Sequence, residues 1–258
     1  NHIVGTNGGG GWTFLQANGH KFCFVPRYNG SYKWVGETKT LGAGEVLTSC
    51  GISEPTSATF YRGDCDPVTL TGLTKPDNGS QKFRLGSSGN QSNGFDGWIY
   101  AARLYNRALT ADEIVVNANV DKIRFENVDP ATLTWPDGYR VNAASGKVEC
   151  HVQIVSNGEN PVSLDGETFA TEVEGWYELG AVTTVRCQVA QGRNILRWDG
   201  APHNAVVGLN QISFAAGSCT ITPVIGYDIP ASAYAQDGLV AQFDGIENAG
   251  TGTHDASA

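Results

Sequence analysis

The sequence predicts an all-β protein built from two β-sandwich modules, with one short helix near residues 111–122. Charged residues make up 17% of the 258-residue chain and glycine contributes 33 residues, a balance that favours short strands and tight turns over charge-rich helices. Short apolar runs alternate with turn dipeptides along most of the chain, and a helix start signal follows Leu109. The length accommodates two domains, each with its own core.

The first β-rich stretch extends from Trp12 to Leu85. Turn signals such as Asn18-Gly19, Asn29-Gly30 and Arg62-Gly63-Asp64 separate its apolar runs, and they supply the positive φ angles that hairpins need. The runs cover residues 12–15, 21–25, 32–35, 45–50, 58–61, 68–70 and 82–85. This pattern predicts an antiparallel domain over residues 1–125.

The helix begins after Thr110, which is a suitable N-cap, and Glu113 follows three residues later to complete a capping box. Ile114, Val115 and Ala118 predict an apolar stripe. The pattern then breaks into Asn, Asp and Pro over residues 126–136, which we interpret as a linker.

A second β-rich stretch follows at residues 137–229, where turns at Asn157-Gly158, Asp165-Gly166 and Asp199-Gly200 divide short apolar runs. Its size and rhythm predict a small independent sandwich. Residues 230–258 read as a linker and then a single strand at 237–244, in which Leu239, Ala241 and Phe243 share one face and Val240 lies on the other. Because the chain contains no Met, we expect it to be a processed or trimmed piece.

Residues 94–114 form one ordered run, Gly94-Phe95-Asp96-Gly97-Trp98-Ile99-Tyr100-Ala101-Ala102-Arg103-Leu104-Tyr105-Asn106-Arg107-Ala108-Leu109-Thr110-Ala111-Asp112-Glu113-Ile114. This run resembles the closing signature of bacterial laminin-G-like, concanavalin A-like jelly rolls. The resemblance implies a jelly roll over residues 1–125 that lacks its opening strands. It also implies a last long strand whose apolar and aromatic face enters the sandwich. The stretch at 237–244 resembles the missing opening strand.

The middle domain is similar to the internalin-type B-repeat of bacterial surface proteins. The similarity rests on Glu174-Gly175-Trp176-Tyr177, Gly180 to Val189, and Gly192 to Trp198 followed by Asp199-Gly200. Ile195 stands where that family usually has an aromatic residue. Both resemblances imply an extracellular or bacterial cell-surface location.

Composition and motifs argue against several function classes. A net charge of -9 without a basic run disfavours nucleic acid, and no apolar stretch is long enough for a membrane span. Glu172 and Glu174 alternate as solvent-facing carboxylates do, and no His lies in a catalytic motif. We therefore expect a non-enzymatic protein without a cofactor.

Six cysteines without zinc-ligand spacing favour disulfides, and Cys50–Cys65 and Cys150–Cys187 are the candidate pairs. Buried free thiols are the alternative. Asp64, Asp66 and Asp77 lie in glycine-flanked turns as candidate calcium ligands, although the 12-residue calcium loop rule is not met. Trp12, Tyr28, Tyr32, Trp34 and Tyr61 are candidates for a carbohydrate platform, with core packing as the alternative.

Three functions remain open at this level. The first is a structural or adhesive surface protein that forms a homopolymer, in which strand 237–244 of one copy completes the jelly roll of the next. In the second, the chain is a fragment of a tandem-module adhesin and its partners are modules of the same chain. The third is a carbohydrate-binding accessory module with glycans as partners.

Overall fold

A computed structural model describes residues 2–5, 11–16, 22–36, 46–63, 65–77, 83–86, 94–156 and 158–227. The chain divides into two compact units, residues 1–134 and 135–258. Strands dominate both units, and one α-helix lies in the described part of the chain. The all-β class predicted from composition and turn pattern is confirmed.

The first unit contains eight strands in the described residues, arranged in two antiparallel sheets. They are β1 His2–Gly5, β2 Trp12–Gln16, β3 Phe22–Tyr28, β4 Ser31–Tyr32, β5 Ser49–Ser53, β6 Ser57–Arg62, β7 Cys65–Thr71 and β8 Arg84–Leu85. One sheet has the order β4-β3-β2-β1-β8 and the other the order β5-β6-β7. Phe22, Phe24 and Phe60 form the centre of the core.

The hairpin between β3 and β4 shows how the turn signals act. Asn29 and Gly30 both have positive φ, 45° and 76°, as the predicted turn dipeptide requires. Just before this turn Tyr28 is 1% exposed. Its hydroxyl oxygen lies 2.6 Å from the Glu54 carbonyl oxygen and 2.8 Å from Ser53 Oγ, so the hairpin is tied to the opposite sheet.

Helix α1, Ala111–Glu126, has the predicted capping box, in which Glu113 N donates to Thr110 Oγ1 and Thr110 N donates to the Glu113 carboxylate. The predicted apolar stripe is wrong in part, because Val115 is 40% exposed and the buried positions are Val116, Asn119 and Asp121. Two of those positions are polar because they carry hydrogen bonds to other segments. Among the described residues, no helix has the length and apolarity to cross a membrane.

The second unit contains nine strands in the described residues. They are β9 Tyr139–Val141, β10 Val148–Val155, β11 Val162–Ser163, β12 Glu172–Glu178, β13 Val182–Cys187, β14 Arg193–Asp199, β15 Val206–Gly208, β16 Gln211–Ala215 and β17 Cys219–Tyr227. One sheet has the order β12-β10-β17-β14, with β9 on β10, and the other the order β11-β13-β16-β15. Alternate residues of β10 are buried, including Val152 and Ile154.

The predicted disulfides are wrong, since Cys50, Cys150 and Cys187 are free thiols. Cys50 in β5 faces Tyr61 of β6, and the backbone of Cys65 in β7 pairs with Arg62 on the other side of β6. Because β6 stands between them, the two strands are farther apart than a disulfide spans. Cys150 and Cys187 belong to different sheets.

The two sulfurs of that second pair also have other contacts. Cys150 Sγ lies 3.5 Å from the Tyr177 carbonyl oxygen and Cys187 Sγ lies 3.7 Å from that of Asn160. Burial raises the pKa of both thiols to about 11. The alternative interpretation, buried free thiols, holds for these cysteines.

Candidate functional site

Residues 97–109 connect the sheets of the first unit to helix α1 without joining a sheet. No backbone–backbone hydrogen bond links them to any other residue that the structure describes. The last such bond before them is donated by Phe95 N to the Gly86 carbonyl oxygen, at 2.8 Å. We call residues 97–109 the unpaired segment.

The unpaired segment exposes large apolar side chains. Trp98 is 86% exposed, Leu104 69% and Tyr100 56%. Ile99, by contrast, packs against the aromatic core, and Leu109 is buried just before the helix. Soluble proteins rarely leave neighbouring large apolar groups in water unless the surface has a role in binding.

Two arginines hold the unpaired segment against helix α1. The Arg103 guanidinium donates two hydrogen bonds to the carboxylate of Asp121, whose side chain is 10% exposed. The Arg107 guanidinium likewise donates two hydrogen bonds to the carboxylate of Glu113, in the first turn of the helix. These bonds raise the pKa of both arginines, and the Arg107 guanidinium lowers the pKa of Glu113.

Two further contacts lie between these anchors. The Tyr100 ring stacks on Phe125, with ring centres 5.3 Å apart, and Asn117 Nδ2 donates to the Tyr105 hydroxyl at 3.2 Å. The side chains of the unpaired segment are thus fixed along α1 while its peptide groups have no partner strand in the described chain.

A cavity of about 550 Å³ lies against the unpaired segment. Phe14, Phe22 and Phe24 of the neighbouring strands β2 and β3 line it, and Cys50 and Gly51 of β5 line another wall. A side chain at Gly51 would place its Cβ 2.5 Å from the Phe24 ring, so this wall has no space for one. The cavity is partly open to solvent, and exposed residues of the unpaired segment belong to its lining.

Comparison with known proteins identifies no family for this chain. No protein-family model, curated protein or solved structure matches the chain. The last strand implied by the jelly-roll resemblance is not observed, since residues 97–109 are not assigned to a strand and form no backbone ladder with the residues that the structure describes.

The five candidate platform aromatics occupy different environments. Tyr28 is buried in the core, and Trp12 packs against that core and also lines the cavity. Tyr61 is half-buried on β6. Tyr32 and Trp34 are 42% and 51% exposed, and the Arg27 guanidinium lies 5.5 Å from the centre of the Tyr32 ring. The structure thus leaves Tyr32 and Trp34 as the accessible members of this set.

The candidate calcium ligands are not gathered into a site within the described residues. The Asp77 carboxylate accepts a hydrogen bond from Gly30 N at 2.8 Å and lies 3.3 Å from Arg27 Nε, so it supports the β3–β4 hairpin. Asp66 is exposed on β7, and Asp64 lies outside the described residues. No group of three His, Cys, Asp or Glu side chains suited to a metal ion occurs in the part of the chain that the structure describes.

The predicted self-assembly residues Leu239, Val240, Ala241 and Phe243 lie outside the described residues. The alternating carboxylates of β12 do face solvent, where Glu172 accepts from Gln153 Nε2 and Glu174 lies 3.3 Å from His151 Nε2. These contacts account for both carboxylates as members of a polar sheet surface.

Sequence reasoning did not select the residues of the unpaired segment as a site. The resemblance implied a last strand with an apolar and aromatic face directed into the sandwich, without naming the residues of that face, and Trp98 and Leu104 are exposed. The signal that pointed to the region was the ordered run from Gly94 to Ile114. Spacing along the chain did not reveal the Arg103–Asp121 contact, because it joins an irregular segment to a helix.

Proposed function

We propose that this chain is an extracellular structural or adhesive surface protein whose first unit accepts a β-strand along the unpaired segment. The observation that carries the proposal is that one anchored stretch makes no backbone–backbone hydrogen bond with the residues that the structure describes and exposes Trp98 and Leu104. The extracellular setting comes from the resemblance to surface-protein modules. Enzymatic activity has no role in this proposal.

Strand addition removes two unfavourable features at once. An incoming strand supplies hydrogen-bond partners to the peptide groups of the segment, and it covers apolar side chains that water now surrounds. The segment is already fixed by Arg103 and Arg107, so little conformational entropy is lost on its side of the contact. Preorganisation of this kind increases affinity without adding contacts.

The proposed donor is strand 237–244 of a neighbouring copy. Its alternating Leu239, Ala241 and Phe243 provide one apolar face, and alternation fixes the register because a one-residue slip turns that face outward. A donor and an acceptor on different parts of the chain make a head-to-tail contact. Such contacts propagate, so the expected product is a filament.

Removal of the donor tests this proposal. A chain ending at Pro230 is expected to sediment as a monomer, whereas the chain of 258 residues forms concentration-dependent polymers that electron microscopy shows as filaments. The matched control ends at Gly245 and keeps strand 237–244, so it should assemble. Filaments formed by the chain ending at Pro230 would overturn the proposal.

In a second arrangement the donor strand belongs to another module of one long chain, as in a tandem-module adhesin. The same unpaired segment is then filled within an array rather than between separate copies. The intact mass of the protein at its source distinguishes the two arrangements. A mass several times 27.4 kDa supports the array, and one near that value supports the filament.

The exposure of Tyr32 and Trp34 favours carbohydrate binding as a second candidate function. Two exposed aromatic rings close together in sequence provide apolar surfaces suited to sugar rings. A glycan array, run with and without calcium, tests this role with Trp34→Ala beside the unchanged chain. Absence of any ligand, or equal binding by both proteins, would exclude these residues as a platform.

A further inference from the structure

Strand β5 is an open edge of the first unit. It is the end strand of the sheet β5-β6-β7, and within the described chain its backbone pairs with β6 alone. The opposite edge, β7, carries Asp66 and Pro67, and charges and proline are residue types that protect an edge against strand addition. Residues 46–53 contain neither a charge nor a proline. The edge at β5 therefore lacks this protection.

The unpaired segment and β5 border the same cavity. Residues 98–109 and 46–53 both line this partly open space of about 550 Å³. No backbone–backbone hydrogen bond joins these two runs in the described chain. Two stretches of chain thus lie beside one cavity, and their peptide groups do not pair across it.

The start of the unpaired segment alternates as a β-strand does. Phe95 and Ile99 pack against the aromatic core, whereas Trp98 and Tyr100 are 86% and 56% exposed. In a strand, successive side chains point to opposite faces with this same period of two. Residues 98–105 also contain three aromatic residues and one isoleucine without any glycine or proline, a composition that is typical of strands.

We infer that residues 98–104 close over the cavity and pair with β5 as a further strand of its sheet. Contacts of Ile99 and Arg103 already hold the segment beside the cavity, so closure costs little conformational entropy. The inference concerns the chain by itself and goes beyond the proposed function. In the closed form, the other edge of residues 98–104 is the place where a partner strand continues the sheet.

The two faces of β5 are fixed by contacts with the opposite sheet. A Cβ at Gly51 would lie 2.5 Å from the Phe24 ring, and Ser53 Oγ lies 2.8 Å from the hydroxyl oxygen of buried Tyr28. Gly51 and Ser53 therefore face the interior of the sandwich. Because side chains alternate along a strand, Cys50 lies on the outer face.

These faces predict which residues of the segment meet the thiol of β5. Ile99 packs against the core, so Ala101 also points inward when the segment is a strand. Tyr100, Ala102 and Leu104 then lie on the outer face. Closure brings the outer set, and not Ala101, to the same face of the sheet as that thiol.

Cross-linking in the 258-residue chain tests this pattern, because Cys50 is a free thiol. Tyr100→Cys, Ala102→Cys and Leu104→Cys each place one thiol on the outer face, and together they sample neighbouring registers. Diamide oxidises two adjacent thiols to a disulfide and is itself reduced to the hydrazine. We expect at least one of these variants to form a disulfide with Cys50 within a single chain, identified by peptide mapping of the monomer fraction.

Ala101→Cys is the matched control, since it changes a neighbouring alanine on the inward face. It should give less than about a tenth of the cross-link, because a disulfide requires side chains that point towards each other. Absence of the cross-link from all three outer positions would overturn the inference. Equal cross-linking by Ala101→Cys and Ala102→Cys would overturn it as well, because a paired strand does not present both faces to one thiol.

Amide hydrogen exchange provides a readout without introduced thiols. Ala102→Pro removes a peptide N–H from the segment and restricts its backbone. If the segment pairs with β5, exchange in residues 46–53 should become at least about tenfold faster in this variant. Strand β7, at the other edge of the sheet, should keep its exchange rate. Faster exchange confined to the unpaired segment would contradict pairing with β5.

These outcomes are separate from those of the proposed function. If the alternating cross-link pattern appears in a chain that stays monomeric at every concentration, closure stands and the filament is wrong. If filaments form and neither the cross-link nor the coupled exchange is found, closure is wrong and strand acceptance stands.

Discussion

The Arg103 guanidinium donates to both carboxylate oxygens of Asp121, with Nη1 at 2.9 Å from Oδ2 and Nη2 at 2.5 Å from Oδ1. This contact joins the middle of the unpaired segment to a buried position of helix α1. It explains how a stretch without a sheet partner in the described chain is nevertheless held in one place.

We predict that Arg103→Ala lowers the free energy of unfolding of the first unit by about 2 kcal/mol, because charge-assisted hydrogen bonds to a buried carboxylate are lost. Urea denaturation followed by tryptophan fluorescence measures the change. Arg107→Ala is the control, and since its ion pair is more exposed it should cost less than about 1 kcal/mol. Equal losses in the two variants would contradict the special role of Asp121.

We predict that Leu104→Ser reduces self-association at least tenfold and changes the free energy of unfolding by less than about 0.5 kcal/mol, as expected for an exposed position. Leu209→Ser in the second unit is the matched control, since Leu209 is 88% exposed. It should leave both quantities unchanged. Sedimentation velocity and urea titration provide the two readouts, and a similar loss of association in both variants would show a general effect of surface apolarity.

The Arg107–Glu113 contact predicts an acid-sensitive anchor. Hydrogen bonding by Arg107 holds the pKa of Glu113 below its usual value of 4.5. The stabilisation is therefore present above pH 4.5 and is lost as the pH falls through the lower pKa of the folded state. Urea midpoints of the unchanged chain should fall more steeply on acidification than those of Glu113→Gln. Parallel curves for the two proteins would show that the contact is not linked to pH.

The buried thiols predict sensitivity to alkali. Burial raises the pKa of Cys150, Cys187 and Cys219 to about 11, so the thiol forms stabilise the fold below the ordinary value of 9.0 and this stabilisation is lost as the pH rises towards 11. Near neutral pH the buried Cys150 and Cys187 should react with iodoacetamide only after unfolding, whereas Cys219 is half-buried. Mass spectrometry of the labelled peptides checks this, and a Cys150–Cys187 disulfide peptide in unreduced protein would contradict it.

Local sequence signals were sufficient to predict those features that depend only on residues close together in the chain. Asn29-Gly30 predicted a turn with two positive φ angles, and Thr110 with Glu113 predicted a capping box, because both features close over a few residues. Alternating burial in β10 follows the sequence pattern for the same reason. The predicted positions of the strand ends were less accurate, because a strand ends where the neighbouring strand of its sheet ends.

The sequence by itself determined the all-β class, the turns and the start of the helix, all of which arise from local backbone preferences and from the alternation of apolar residues. Only the tertiary structure decided which cysteines are too far apart to bond, which aromatic residues reach the surface, and that residues 97–109 lie outside the sheets. Hydrogen-bonded ladders, ion pairs such as Arg103–Asp121 and cavities form between segments that are distant in the chain, and their geometry is set by packing.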